Sequence, residues 1–181
     1  MDGVIHALRT LTRLIDGFNR TLGRALAWLV LAMVFVTFTV VVLRYGFSEG
    51  SIAMQESVMY LHSFVFLGAA GYTLLYNSHV RVDIFYNKLP ERGQAWVNLL
   101  GAIFLLMPTF GFILWISWDY VGRSWALLEG SPEVGGLNLV YILKTAIPAL
   151  AVVMILQGLS QIAHNILILM GRETPEEPAA S

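Results

Sequence analysis

The chain has no cysteine among its 181 residues. A protein without cysteine cannot use a thiol nucleophile, a cysteine-ligated zinc or iron–sulfur centre, or a covalently attached c-type haem. Charged side chains are also scarce, at 13% of residues against 57% for hydrophobic ones. Because a soluble domain typically carries about 25% charged residues, this composition indicates a membrane protein.

Neither sign of charge dominates, since 11 Lys and Arg residues stand against 12 Asp and Glu residues, for a formal net charge of −1. Nucleic-acid-binding proteins usually carry a basic surplus, so we expect no nucleic-acid partner. The sequence also lacks a nucleotide-binding glycine loop, a catalytic triad and a metal-binding His-Glu motif. We therefore expect neither enzymatic activity nor a metal or other cofactor.

Four long apolar runs predict an all-α integral membrane protein with four transmembrane helices. The predicted spans are about 25–43, 57–78, 93–118 and 145–171, which together make a membrane domain over 25–171. As an α-helix, the second span would measure about 33 Å, enough to cross a hydrocarbon core of about 30 Å. In the third span, Pro108 predicts a kink.

Residues 1–24 predict an amphipathic helix that lies in the membrane interface. At about 100° per residue, its aliphatic side chains fall in one sector and its arginines fall opposite. A basic polar face suits the surface of an anionic membrane, although a cytosolic protein partner is the alternative. Gly17 and Gly23 predict a bend towards the first span. The predicted lipid contacts are Arg9, Arg13, Arg20 and Arg24.

Four spans place both termini on the same side of the membrane. That side also holds the 79–92 connection and an acidic tail, 172–181, which is predicted to be disordered. Three basic residues, Arg44, Arg123 and Lys144, fall on the opposite side. Because cytoplasmic segments carry an excess of Lys and Arg, both termini are predicted to be cytoplasmic. The basic residues on that side are Arg9, Arg13, Arg20, Arg24, Arg81, Lys88, Arg92 and Arg172.

Small residues occupy the middle of the second span, at Gly68, Ala69, Ala70 and Gly71. Small side chains let another helix approach closely inside a membrane. That helix could belong to a partner subunit or to this chain, and the sequence leaves both possibilities open. Glu56 opens the same span and would either pair with a partner or stabilise the positive end of the helix dipole.

Two histidines raise an alternative from another functional class, a membrane-anchor redox subunit with a b-type haem held between them. His62 lies close to the outer face, whereas His164 lies deep in the fourth span. Their depths would differ by about 20 Å at the helical rise, too far for both to ligate one haem. A hydrogen bond within the helical bundle is the simpler interpretation of each histidine.

Several short motifs occur in a fixed order along the chain, and together they resemble one known family. The set is similar to the small, DctQ-like integral-membrane subunit of tripartite ATP-independent periplasmic (TRAP) transporters, over about residues 25–170. The motifs are R-Y-G-F at 44–47, S-I-x-x-x-E at 51–56, F-L-G-A-A at 66–70, H-V-R-V-D-I-F-Y-N-K-L-P at 79–90 and S-P-E-V-G-G-L at 131–137.

The resemblance implies a secondary transporter of three parts in the inner membrane. A periplasmic binding protein would capture an organic acid, and a large membrane subunit would carry it across, usually with sodium. The small subunit would brace the large one. The candidate residues for contact with a partner are Arg44, Glu56, Gly68, Ala69, Gly71, His79, Arg81 and Asp83.

Because the chain has no native cysteine, single-cysteine variants test the predicted topology cleanly. The variants Ser48→Cys and Pro132→Cys should react with a membrane-impermeant maleimide on intact cells, because both positions lie in predicted outer loops. Ser181→Cys should react only after the membrane is broken open. Labelling of the tail from outside would contradict cytoplasmic termini.

Overall fold

The computed structural model describes residues 2–78 and 86–173, apart from the side chain of Asp2. Over these ranges the chain forms helices and loops with no strand, which confirms the prediction of an all-α protein. Residues 174–181 of the predicted tail lie outside the described part, as do His79, Arg81 and Asp83. The elements are α1 (Asp2–Gly46), α2 (Ile52–Gly68), α3 (Ala70–Leu75), α4 (Glu91–Gly101), a π-helical turn (Ala102–Leu106), α5 (Met107–Leu127) and α6 (Val140–Leu169).

In the described part of the chain, four helical stretches are long and apolar enough to cross a membrane. They run over Gly3–Gly46, Ile52–Leu75, Glu91–Leu127 and Val140–Leu169. Each overlaps one of the four apolar runs in the sequence, so the predicted number of spanning helices is confirmed.

The first helix, α1, is continuous over 45 residues. It continues through Gly17 and Gly23, where the sequence predicts a bend between an interfacial helix and the first span. Gly23 instead allows a close approach, because a Cβ atom there would lie 2.3 Å from Cδ2 of Tyr72 in α3. The amphipathic segment and the first span are therefore one helix.

The last helix, α6, is the centre of the bundle. The helices α1, α2 and α3 pack against it, and so do α4, the π-helical turn and α5. Small buried residues on α6 make these approaches possible, among them Ala146, Ala151 and Ala163. At Gly158 a Cβ atom would lie only 2.5 Å from Cδ2 of Leu106. Packing against small residues thus assembles the bundle around α6.

The third span is irregular where the sequence predicts a kink. A π-helical turn at Ala102–Leu106 leads directly into α5, in which Pro108 is close to the first residue. Proline lacks an amide hydrogen and its ring collides with the carbonyl four residues earlier, so a helix that continues through it loses a hydrogen bond and tends to kink there. The wider π-helical turn absorbs this conflict just before the proline.

Contacts between distant segments show which parts of the chain share an end of the bundle. Arg9, near the start of α1, donates from Nη2 to the carbonyl of Arg172, just beyond α6, at 2.8 Å. At the other end, Glu56 of α2 accepts from the backbone N–H of Leu137, in the loop between α5 and α6, at 2.6 Å. We call these the terminal end and the loop end. The start of α1 and the end of α6 lie together, as an even number of spans requires.

The glycines of the second span pack against helices of the same chain. A Cβ atom at Gly68 would lie 2.8 Å from Cδ1 of Leu26 in α1. One at Gly71 would lie 2.3 Å from Cγ1 of Val153 in α6. Packing within the chain, one of the two possibilities left open by the sequence, therefore accounts for both glycines. Between them, Ala69 is the junction of α2 and α3.

Gly71→Ala should destabilise the bundle, because its Cβ would also lie 2.7 Å from Oδ1 of Asn19. Overpacking of this kind costs about 1–3 kcal/mol. Gly111→Ala in α5 is the matched control, since a Cβ there has nothing within 4 Å. We expect the thermal unfolding midpoint in detergent to fall for Gly71→Ala and to hold or rise for Gly111→Ala. Equal midpoints would show that Val153 moves aside without cost.

Candidate functional site

A polar network joins α1 to α6 at the terminal end. Oδ1 of Asp16 accepts hydrogen bonds from Ser160 Oγ at 2.6 Å and from Gln157 Nε2 at 3.1 Å. Its other oxygen, Oδ2, lies 3.0 Å from Nε2 of His164. Asn19, which is fully buried, donates from Nδ2 to Oε1 of Gln157 at 2.7 Å. The single carboxylate of Asp16, on α1, thus contacts three side chains of α6.

From His164 the network continues to the surface. Its Nδ1 lies 2.9 Å from Oε2 of Glu173, whose Oε1 is 3.9 Å from Nε of Arg9. A carboxylate at each ring nitrogen holds the imidazole in one orientation. The network therefore runs unbroken from the buried Asn19 to an exposed arginine, and it ties the start of α1 to the end of α6.

Helical-wheel reasoning places Asp16 on the polar face with the arginines, whereas the structure turns it towards α6. The face of α1 that turns towards α6 can be recognised in the sequence by three short polar residues, Thr12, Asp16 and Asn19, which are spaced four and three apart. Thr12 and Asn19 are buried. Gln157 and His164 are recognisable in the sequence as polar residues within a predicted span, but nothing in the sequence pairs them with Asp16.

The haem alternative has no support in this geometry. Both ring nitrogens of His164 face carboxylates, which leaves none directed at a metal. His62 stacks on Phe66, with ring centroids 6.0 Å apart. The bundle hydrogen bond expected as the simpler interpretation is found for His164.

An open groove of about 530 Å³ lies beside the network at the terminal end. It runs between α1 and the end of α6, and its lining includes Asp16 of α1, His164 of α6 and Glu173, which lies just beyond α6. Arg9, Arg13 and Arg20 also line it, whereas Arg24 does not. Three of the four arginines predicted to contact lipid are thus gathered along one depression.

At the loop end, Glu56 holds the α5–α6 loop of its own chain. Its carboxylate accepts from the hydroxyl of Ser131 and, at 2.6 Å, from the backbone N–H of Leu137. The loop lies so close that a Cβ atom at Gly136 would be 2.8 Å from Oε1 of Glu56. In this structure the Glu56 carboxylate is hydrogen-bonded to a loop of its own chain.

A second carboxylate secures the start of that loop. Glu129 accepts from Nζ of Lys144 at 2.5 Å and from Oγ of Ser124 at 2.6 Å. The bond from Lys144, with that from Ser124, holds the pKa of Glu129 below its usual value. The ammonium of Lys144 also lies 4.3 Å from the ring centroid of Tyr120. The loop is thus tied to α2 at one point and to α5 and α6 at another.

The remaining candidate contact residues do not form one patch in the described part of the chain. Arg44 is exposed in the last turn of α1, at the loop end. Glu56 is at the same end but is occupied by the loop, and Gly68 and Gly71 face neighbouring helices of this chain.

Large aromatic side chains cover the outside of the bundle. Among those that expose more than half of their surface are three on α1 and three on α5. In a membrane protein such a surface is covered by lipid chains or by another subunit. These residues are Trp28, Phe35, Phe38, Phe112, Trp115 and Trp118.

Comparisons with known proteins agree with the motif pattern. The family model described as the DctQ component of tripartite ATP-independent periplasmic transporters matches residues 33–167. A Haemophilus influenzae protein, whose name is that of a TRAP transporter small permease protein, is 33% identical over 105 residues. That alignment covers 56% of this chain and 64% of the relative, so the chain spans less than two thirds of the relative's length. No solved structure matches the chain.

Asp16→Ala should weaken the bundle, because it leaves the donors of Ser160, Gln157 and His164 without their acceptor. Buried donors without a partner cost about 1–3 kcal/mol each, so we expect a loss of about 2–4 kcal/mol after local relaxation. Asp119→Ala is the control, since Asp119 is exposed on α5; its effect should stay within about 0.5 kcal/mol. Unfolding in detergent measures both, and equal stabilities would mean that the network adds nothing.

Proposed function

This chain belongs to the DctQ family of TRAP transporter components, and we propose that it serves as a scaffold that braces the large permease subunit. As the small permease subunit it is a multi-pass protein of the inner membrane, and its family is a transporter component rather than an enzyme family. The observation that carries the proposal is the contrast between the two ends of the bundle, which are tied by internal polar bonds, and its uncovered aromatic sides.

The internal bonds support a rigid body. At the terminal end, Asp16 and His164 fasten α1 to α6. At the loop end, Glu56 and Glu129 fasten the α5–α6 loop to α2 and α6. A bundle held at both ends resists sliding of its helices, which is what a fixed support for a moving subunit requires.

The middle of the bundle supports a scaffold over a carrier. Between the two polar ends, the buried face of α6 carries Ala151, Val153 and Met154. A path for a charged solute needs polar groups at mid-membrane depth that are free to receive it. The buried polar groups of α6 at Gln157 and Ser160 are already bonded to α1.

Family membership supports a further proposal about the partners and the solute. We propose that the large permease subunit packs on the aromatic sides of this chain, with Arg44 and the segment containing His79, Arg81 and Asp83 as further contacts. The transporter would take up an organic acid delivered by a periplasmic binding protein, driven by a sodium gradient. Both termini would be cytoplasmic, and residues 1–24 would lie beside the lipid headgroups.

Reconstitution into vesicles separates a scaffold from a carrier. The chain alone should show no ion-driven uptake of organic acids, because the buried face in the middle of α6 is apolar, at Ala151, Val153 and Met154. Vesicles with the large subunit and binding protein should take up solute only when this chain is included. Uptake by the isolated chain would contradict the scaffold, and full uptake without it would show that the large subunit needs no brace.

A further inference from the structure

We propose that the groove at the terminal end binds the phosphate of an anionic phospholipid headgroup, with Arg13 and Arg20 as its main ligands. This inference goes beyond the scaffold function and does not depend on it. It assigns a specific lipid site to a part of α1 for which the sequence predicts only a general attraction to the membrane surface.

The arginines are aligned by the helix that carries them. Arg9, Arg13 and Arg20 are separated by four and seven residues, so they lie in one line along α1 over about 16 Å. Gly17 lies in the same line and also borders the groove. A Cβ atom there would have nothing within 4 Å, so the depression is open between Arg13 and Arg20. A headgroup can therefore sit between two guanidinium groups.

The charges of the groove leave a positive surplus at these two residues. Asp16 already receives hydrogen bonds from α6, and Glu173 lies against His164 and Arg9. Within residues 2–78 and 86–173, Arg13 and Arg20 have neither a hydrogen bond nor an ion pair. Guanidinium groups bind phosphate oxygens in a two-pronged geometry, so a phosphate matches the available donors.

The position of the groove favours a lipid over a soluble phosphate ester. Arg20 precedes the apolar run at 25–43 by five residues, a rise of about 7.5 Å, which is the thickness of a headgroup layer. Leu14 and Phe18, on the adjoining side of α1, are 68% and 50% exposed. Both precede Arg20 on the continuous helix α1, so they lie farther from the hydrocarbon core, beside or beyond the headgroups. The depth of Arg20 is therefore what favours a lipid phosphate over a soluble ester.

Lipid binding to the purified full-length chain in neutral detergent tests the site. The probes are phosphatidylglycerol and phosphatidylcholine, and retained lipid is counted by native mass spectrometry across a titration. We expect Arg13→Gln and Arg20→Gln each to weaken phosphatidylglycerol binding about fivefold, and the double variant about 25-fold. Binding of phosphatidylcholine should be weak and unchanged in all variants.

Arg24→Gln is the matched control, because Arg24 is exposed on the same line of α1 but does not border the groove. It should bind phosphatidylglycerol like the native chain, and the double variant Arg13→Lys/Arg20→Lys should keep only part of the affinity, because an ammonium group keeps the charge but lacks the two-pronged donor geometry. If Arg24→Gln lost as much affinity for phosphatidylglycerol as Arg13→Gln, the specific site would be overturned in favour of a general attraction to the membrane surface. Displacement of the lipid by millimolar glycerol 3-phosphate would overturn the lipid assignment in favour of a soluble ester.

Discussion

The contact between the Asp16 carboxylate and α6 is the constraint on which the arrangement of this bundle depends. Inside a membrane, helices gain little from hydrophobic burial against one another, because lipid chains are equally apolar. Polar bonds and close packing therefore decide which faces meet. By accepting from Ser160 and Gln157 and facing His164, Asp16 sets the height and rotation of α1 against the central helix. The same turn of α1 leaves its arginines beside α6, where they border a groove instead of pointing away from the bundle.

Close packing at small residues also determines how the helices of the bundle are arranged. Gly71 brings α3 against α6 and α1, and Gly158 brings α6 against the π-helical turn. On α1 and α5, the outside of the bundle carries large aromatic side chains, among them Trp28 and Trp115. A subunit of this kind meets its surroundings through apolar sides and through the charged groups at its two ends. That division suits a support embedded beside a larger transporter subunit.

Much of the fold could be predicted from the sequence, because membrane spans are a matter of length and hydropathy. The four runs, the irregularity near Pro108 and the shared side of the termini all follow from local composition and from counting spans. The ordered motifs from 44–47 to 131–137 pointed to the DctQ family, whose model matches residues 33–167. The contacts of individual site residues could not be predicted from the sequence, because the partners of Glu56 and Gly68 lie far away in the chain. Glu56 reaches the α5–α6 loop, and Gly68 meets Leu26.

The sequence by itself therefore determined the four apolar spans and the family, because both depend on local patterns of residues and not on contacts between helices. Only the tertiary structure decided which face of each helix turns inward. A helical wheel groups Asp16 with the arginines by polarity, and the structure keeps Asp16, Arg13 and Arg20 beside one groove. Of these three residues, only Asp16 bonds to α6, because Ser160 and Gln157 offer donors to its carboxylate. The continuity of α1 through Gly23 has the same origin. Packing against Tyr72 supports the helix at a residue that by itself favours a break.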